Sequence, residues 1–277
     1  MITASIVTFH TSHTDLNRLL DCVIKSPIEI LFIVDNSSND ELRNFVGDNI
    51  HICYIHSLNV GYGKGHNIAI KRAIELGANY HVVINPDIYW NDKVIESLCK
   101  FMNAQPNVGL VMPKILYPSG ELQYLCKLLP TPMDLIFRRF IPIKSFQNRR
   151  NYYYELRWAD YNQVMEIPSL SGCFMFMRCS ILKSVGGFDE RYFMYAEDLD
   201  LCRRIGEISK TMFYPMVTVV HEYKKGSYKN KKLLKYHIIS VIKYFNKWGW
   251  LFDSKRKNKN NTCIKSIQFC KQSKNGY

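Results

Sequence analysis

The 277-residue chain has no C-x-x-C pair, no internal repeat and no low-complexity stretch before its C-terminal tail. Its nine cysteines are odd in number and set mostly among apolar neighbours, so they read as buried thiols of a reduced compartment rather than a disulfide framework. No window reaches the roughly 18 uncharged apolar residues of a bilayer span. The opening MITASIVTFH lacks a basic n-region, so no signal peptide is expected, and the expected place is the cytosol or a membrane surface facing it. Scarcest of all is negative charge near the end. Residues 224–277 hold 15 basic residues and one acid, Asp253, whereas residues 1–223 hold 22 basic and 23 acidic ones. The overall charge of +13 is therefore a property of the tail, and a nucleic-acid-binding body is not expected. What is abundant is apolar material, 47% of the chain, enough for the core of one large domain and too much for a disordered or collagen-like chain.

Over the first 112 residues short β-branched runs alternate with helical patterns. Strands are expected at 5–9, 30–34, 52–55, 81–84 and 109–112, and helices at 15–25, 40–46, 66–76 and 92–102. This alternation predicts an α/β fold with a mostly parallel sheet and helices on both faces. In such sheets ligands gather at the carboxyl ends of the strands, which is where chemistry is sought. After Pro113 the pattern loosens, and residues 118–165, with four prolines, read as an inserted segment. Order returns with a strand at 167–177, helices at 180–185 and from about Ala196, and strands at 212–214 and 218–221.

Several polar groups fall at expected strand ends. Asp35 follows a buried strand, where a carboxylate either meets a nucleotide or caps the next turn. The segment NVGYGKGHN, 59–67, places glycines 61, 63 and 65 before a helix, which suits an anion or a plain turn. It is not a P-loop, because no Ser or Thr follows Lys64. Asn85-Pro86-Asp87 ends another strand, and Asp87 suits a hard cation held jointly with diphosphate oxygens, or simply a turn. The strongest local signal is GGFDERYFMYAEDLDLCRR, 186–204, with three carboxylates in four residues at a helix start. Glu197 and Asp200 share a face and Asp198 projects elsewhere, so one acid can meet substrate while others pair with Arg203 or Arg204. His221 ends a β-branched run and either packs structurally or completes a metal site with Asp87.

In order, IVTFH, VDNSSN, NVGYGKGHNIAI, VVINPDI, SGCFMFMR, GGFDERYFMYAEDLDLCRRI and VVHEYKKGS resemble the family 2 glycosyltransferases of GT-A fold, and within them the bacterial rhamnosyltransferases of O-antigen and cell-wall polysaccharide synthesis. The resemblance implies a GT-A domain over 1–227, with a nucleotide-binding half at 1–112 and an acceptor and catalytic half at 113–227. It implies that Asp35, Asn59, Gly61, Gly65 and Asn67 line the nucleotide pocket. Asp87 would hold the donor diphosphate through a divalent metal, Mg²⁺ or Mn²⁺, with His221 nearby. Asp198 would be the catalytic base, and Glu197, Ser171 and Gly172 would lie near the acceptor. Asn85 departs from the wider fold by replacing the first Asp of D-x-D. The implied reaction is inverting transfer of a sugar, best guessed as L-rhamnose from dTDP-rhamnose, to a lipid-linked saccharide of surface polysaccharide synthesis. UDP-hexose or galactofuranose transfer, and a silent sugar-nucleotide binder, are the alternatives.

Beyond this domain, residues 228–253 read as a basic amphipathic helix suited to an anionic membrane surface or to docking on the body. Residues 254–277 read as a basic, disordered tail.

Overall fold

A computed structural model describes residues 1–46, 51–91, 93–137, 141, 143–222 and 231–272. Residues 223–227 of the last motif and the domain boundary after residue 227 lie outside these. The first half alternates as its patterning requires: β1 (Ile2–Thr8), α1 (His13–Ile24), β2 (Ile30–Asp35), α2 (Glu41–Val46), β3 (Ile52–His56), α3 (Tyr62–Glu75), β4 (Tyr80–Ile84), β5 (Ile88–Tyr89), α4 (Val94–Ala104) and β6 (Val108–Leu116). Along β2 the side chains divide between the faces. Leu31 and Ile33 join the core with Leu16 and Leu19 of α1, while Phe32 and Val34 pack with Ala69 and Ala73 of α3. Helices on both faces follow from that alternation.

The second half supplies β7 (Cys126–Lys127), a π-helical turn (Met133–Phe137), α5 (Lys144–Tyr154), β8 (Met165–Glu166), β9 (Ser169–Leu170), β10 (Phe174–Arg178), α6 (Cys179–Val185), α7 (Glu197–Ile208), β11 (Lys210–His221), α8 (Lys231–Trp248) and α9 (Ser254–Gln272). The main sheet runs β3-β2-β1-β4-β10-β6-β11-β5, with β8 also on β11. It is mixed: β1, β2, β3 and β4 pair in parallel, β10 is antiparallel to both neighbours, and β11 is parallel to β6.

Three differences from the sequence expectation have physical causes. The strand expected at 167–177 is broken at Ser171-Gly172: β9 pairs with β7 in a separate two-stranded sheet, and only β10 enters the main one. The two strands expected around Pro215 are one, β11, with a register shift between Tyr214 and Thr218 that accommodates a residue lacking an N–H. Helix α3 begins at Tyr62, four residues early, because its glycines sit inside the first turn.

The tail expected to be disordered is corrected outright over 254–272, which form α9. Its inward face is not an aliphatic stripe and so escaped the hydrophobic pattern. Arg256 is buried and donates to the carbonyls of Pro130 and Leu251, Asn260 bonds both the N–H and C=O of Leu129, and Cys263 and Ile267 join the core. The inserted segment is likewise ordered where described, with Tyr154, Leu156 and Tyr161 buried.

Helix α8 docks by one edge. Ser240, Val241, Tyr244 and Phe245 are buried, the last three packing with Leu129, Tyr192, Ala196 and Leu199. Ile238, Ile239 and Ile242 stay exposed, as do Trp250, Leu251 and Phe252 after it.

Candidate active site

The carboxyl ends of β1, β4 and β11 and the amino end of antiparallel β10 meet at one edge of the sheet, beside the start of α7. They frame a cleft of about 1020 Å³ lined by Asn85, Asp87, Ser171, Gly172, Glu197, Asp198 and His221. Six candidates and Asn85, separated by up to 136 residues, thus line one cleft, as the strand-end rule requires.

Asp198 is half-buried in the first turn of α7. Its Oδ2 accepts from the Gly172 N–H at 2.9 Å and its Oδ1 from the Leu199 N–H at 2.8 Å. A Cβ on Gly172 would lie 3.0 Å from the Asp198 Cβ, so the close approach that breaks the strand at Ser171-Gly172 favours glycine there. The backbone before Asp198 is strained: Tyr195 and Ala196 both adopt left-handed conformations, with φ of 71° and 64°. Such residues cost about 1–3 kcal/mol each and persist only where the surroundings hold them.

The neighbouring acids have separate environments. Glu197 is 6% exposed, its Oε2 has no hydrogen-bond partner among the described residues, and burial together with the Asp198 charge raises its carboxyl well above the usual range. Asp200 is fully buried and paired with Arg204 at 2.7 Å and Lys247 at 2.6 Å, and it also accepts from Trp248 Nε1 at 2.7 Å. Arg203 turns instead to Asp253 at 2.7 Å, with its guanidinium 4.1 Å from the Trp248 ring centre. Of the three first-turn acids, Asp198 is the one held by two backbone N–H groups, with no cation paired to it among the described residues.

On the opposite wall, Asp87 Oδ1 lies 3.4 Å from His221 Nε2. Gln123 donates through Nε2 to the His221 carbonyl at 2.8 Å, leaving its Oε1 3.0 Å from His221 Nδ1. That network assigns the Nδ1 proton to the Gln123 bond and points Nε2 at Asp87. Burial pushes the imidazole down, but Cys173 and Asp87 beside it reverse the shift and raise it to about 10, so an ion bound at Nε2 would displace the proton there. Two donors this close can reach one divalent ion at about 2.0–2.2 Å. No set of three His, Cys, Asp or Glu groups forms among the described residues, so other oxygens must complete the shell. The donor set fits Mg²⁺ or Mn²⁺ bound jointly with a ligand's phosphates. Asn85 contributes position rather than charge: its Oδ1 accepts from Tyr62 Oη at 3.0 Å, and the same hydroxyl lies 2.8 Å from the Gly172 carbonyl.

The remaining candidates lie off this wall. Asp35 is buried and engaged on both oxygens, by Thr8, Ser37 and Tyr54. Burial pushes its carboxyl up, but the bonds from Ser37, Tyr54 and Thr8 outweigh it and hold the group below its ordinary value. Asn59 is exposed and caps the Gly61 N–H. Gly61 and Gly65 serve close packing: a Cβ on Gly61 would meet the Phe193 carbonyl at 2.2 Å, and one on Gly65 would meet Val7 at 2.8 Å. Asn67 clamps Phe188, donating to its carbonyl and accepting from its N–H, both at 2.8 Å. The glycine segment and the 186–193 loop therefore form one seam, which accounts for their shared glycines.

Tyr62, Gln123 and Lys127 join the cleft without having been singled out as functional. Tyr62 was hidden among the glycines. Gln123 and Lys127 lie in the segment whose weak periodicity marked it as an insertion, and no local signal identified them.

This mixed sheet with an acid-lined cleft at its strand ends is the GT-A type of α/β fold. The structure of GalNAc-T7 with UDP, GalNAc and Mn²⁺ superposes on 87% of the chain with a TM-score of 0.61 at 14% identity, covering 47% of that chain. Residues 5–186 match Glycosyl transferase family 2, and the chain belongs to that family. It is 30% identical over 178 residues to the N-acetylglucosaminyl-diphospho-decaprenol L-rhamnosyltransferase of Mycobacterium tuberculosis, over 59% of this chain. The match spans 56% of that relative's length. It is 23% identical over 249 residues to rhamnosyltransferase WbbL of Escherichia coli, covering 86% of this chain and 90% of that protein.

Proposed function

We propose that this protein transfers a sugar from a nucleotide-sugar donor to a lipid-linked saccharide acceptor, with inversion. The observation that carries the reading is Asp198: a carboxylate fixed by two backbone N–H groups, across one cleft from Asp87 and His221. Asp198 takes the proton of an acceptor hydroxyl as its oxygen attacks the anomeric carbon, and the nucleoside diphosphate leaves from the opposite side. Asp87 and His221 would hold a divalent ion, which when bound supplies charge neutralisation for the leaving diphosphate. Tyr62 and Gly172 keep Asn85 and the base in register, and Gln123 orients His221. Two relatives are named as rhamnosyltransferases, one of them for a diphospho-decaprenol-linked substrate, which supports an L-rhamnose donor, best guessed as dTDP-rhamnose, and a lipid-linked acceptor. UDP-hexose or galactofuranose transfer is the alternative within the family. Asp35 contacts the donor's base or ribose in this reading, and Asn59, Gly61, Gly65 and Asn67 line the nucleotide side.

The same reading places the protein on the cytosolic face of an anionic membrane. Among the described residues no helix is long and apolar enough to cross a bilayer. Instead α8 turns Ile238, Ile239 and Ile242 outward beside Lys235 and Lys243, followed by exposed Trp250, Leu251 and Phe252. Liposome flotation checks this: Leu251→Asp with Phe252→Asp is expected to lose binding to anionic vesicles, and unchanged binding would remove the membrane from the account. For the chemistry, nucleoside diphosphate release is measured across dTDP- and UDP-sugars with Mg²⁺ or Mn²⁺. Release is expected from one sugar class and lost in Asp198→Asn by about 10²-fold or more. A variant keeping a tenth of the rate would exclude Asp198 as the base.

A further inference from the structure

The cleft does not end at Asp198. A second cavity of about 200 Å³ lies beneath α8 and shares Lys127, Ser171, Tyr195, Glu197 and Asp198 with it. We propose that this cavity binds a phosphoryl group carried by the acceptor, with Lys127 as the opposing charge. The proposal rests on the reading of the chain as a transferase acting on a lipid-linked saccharide.

Four observations converge. Lys127 is half-buried on the short strand β7, and no hydrogen bond or ion pair engages it among the described residues. The other cations near the site are committed, Arg157 to Glu155, Arg203 to Asp253, and Arg204 and Lys247 to Asp200. Second, Ala196–Leu199, the start of α7, form part of the cavity wall, so the positive end of that helix faces the space. Third, the acids that would repel an anion are offset: Asp200 is paired with Arg204 and Lys247, and burial together with the Asp198 charge raises the Glu197 carboxyl well above its usual range. Asp198 faces the acceptor hydroxyl, and the acceptor's sugar ring stands between that hydroxyl and the phosphoryl group.

The fourth is position. His237 of α8 lines the cavity, and the next two residues, Ile238 and Ile239, are exposed on the outer surface of the same helix. A phosphoryl group beside Lys127 and His237 therefore lies one residue's breadth from an apolar surface along which a lipid chain can leave. Sugar, phosphate and lipid then follow one another from Asp198 to the outer face of α8.

Isothermal titration of the full chain with farnesyl diphosphate, farnesol and inorganic pyrophosphate tests this. A chelator is present so that no metal at Asp87 and His221 holds the probe. Farnesyl diphosphate is expected to bind at least about tenfold more weakly to Lys127→Met, the size of a lost charged hydrogen bond. Lys127→Arg is expected to restore most of it, and melting temperatures confirm that both variants fold. Equal affinity of wild type and Lys127→Met for farnesyl diphosphate overturns the site. Pyrophosphate binding as tightly, with the same dependence on Lys127, overturns the acceptor assignment and leaves a free-anion site. Farnesol binding as tightly overturns the role of phosphate. No sugar transfer enters the measurement, so its failure is distinct from a failure of the transferase reading, which nucleoside diphosphate release decides.

Discussion

Residues 186–200, which carry Asp198, are gripped from two sides by different means. On the α3 side the seam is chiefly steric: Gly61, Gly63 and Gly187 admit backbone and side chains where a Cβ would collide, Asn67 pins Phe188, and the one ion pair among the described residues, Lys64 to Glu190 at 3.4 Å, is exposed. On the α8 side the grip is polar and charged. Ser240 donates to the Met194 carbonyl and Lys243 to that of Arg191, both at 2.7 Å, while Lys247 bridges Asp189 and Asp200. Tyr236 stacks on Phe193 with ring centres 4.5 Å apart. The difference teaches where the strain at Tyr195 and Ala196 is balanced. The steric seam fixes where the loop lies, and the charged seam fixes how α7 starts.

The comparison can be broken from either side. The largest effect is expected from Asp200→Ala, which leaves Arg204 and Lys247 without their buried carboxylate. Removing one partner of such a group costs about 3–5 kcal/mol, and thermal or urea unfolding reads it directly. Gly61→Ala comes next: its backbone at φ 91° strains any side chain, and the new Cβ meets the Phe193 carbonyl. A loss of about 3 kcal/mol is expected, with a matching loss of transfer activity. Lys247→Met is milder, because Asp200 keeps Arg204 and Trp248. About 1–2 kcal/mol is expected, with kcat falling more than donor KM, and Lys247→Arg recovering most of it. If KM alone rises, α8 does not position the base.

Acid separates the seams by pH. His66 of α3 joins Ser5, His81 and Thr3 in a buried chain with links of 2.7–2.8 Å. Burial, with His81 adding to it, holds His66 well below its ordinary value, and burial lowers His81 to about 3. Both imidazoles take protons more readily unfolded than folded. The stability they confer is full above about pH 6.5 and is lost as pH falls from there toward 3. Asp189 and Asp253 of the charged seam are also shifted down, but by bonds from cations rather than by burial. Burial pushes each up, but bonds from Arg191 and Lys247 for the first, and from Arg203 and Arg256 for the second, hold both below the ordinary carboxylate value. Their contribution survives until pH falls below about 3.8. Hydrogen exchange between pH 6 and 4 is therefore expected to show α3 opening before α8, with the smallest change of this series in Trp248 fluorescence. Simultaneous opening would dissolve the distinction.

The steric seam is partly legible in the sequence. The β–α alternation, the strand ends and the acidic start of α7 follow from hydrophobic period and from where polar groups interrupt it. Asp87, Asp198, Ser171, Gly172 and His221 line one cleft for that reason. The glycines at 61 and 65 were visible as glycines, but the Phe193 carbonyl and Val7 that require them are distant in sequence, so an anion loop and a packing seam looked alike. The charged seam was less legible. The pairings of Lys247 with Asp200 and Arg203 with Asp253 link residues 47 and 50 apart through tertiary contact, and a polycationic composition hid them. Helix α9 was illegible for a related reason, since its buried face uses Arg256 and Asn260 as its anchors.

The position of α8 in the chain has a consequence for synthesis. The matched family segment ends at residue 186, yet the helix that steadies the start of α7 spans Lys231–Trp248. A nascent chain can form most of the sheet on the ribosome while Tyr195 and Ala196 still lack their clamp. Catalytic competence is then expected late in translation, because a chain truncated before α8 lacks the contacts that steady the start of α7.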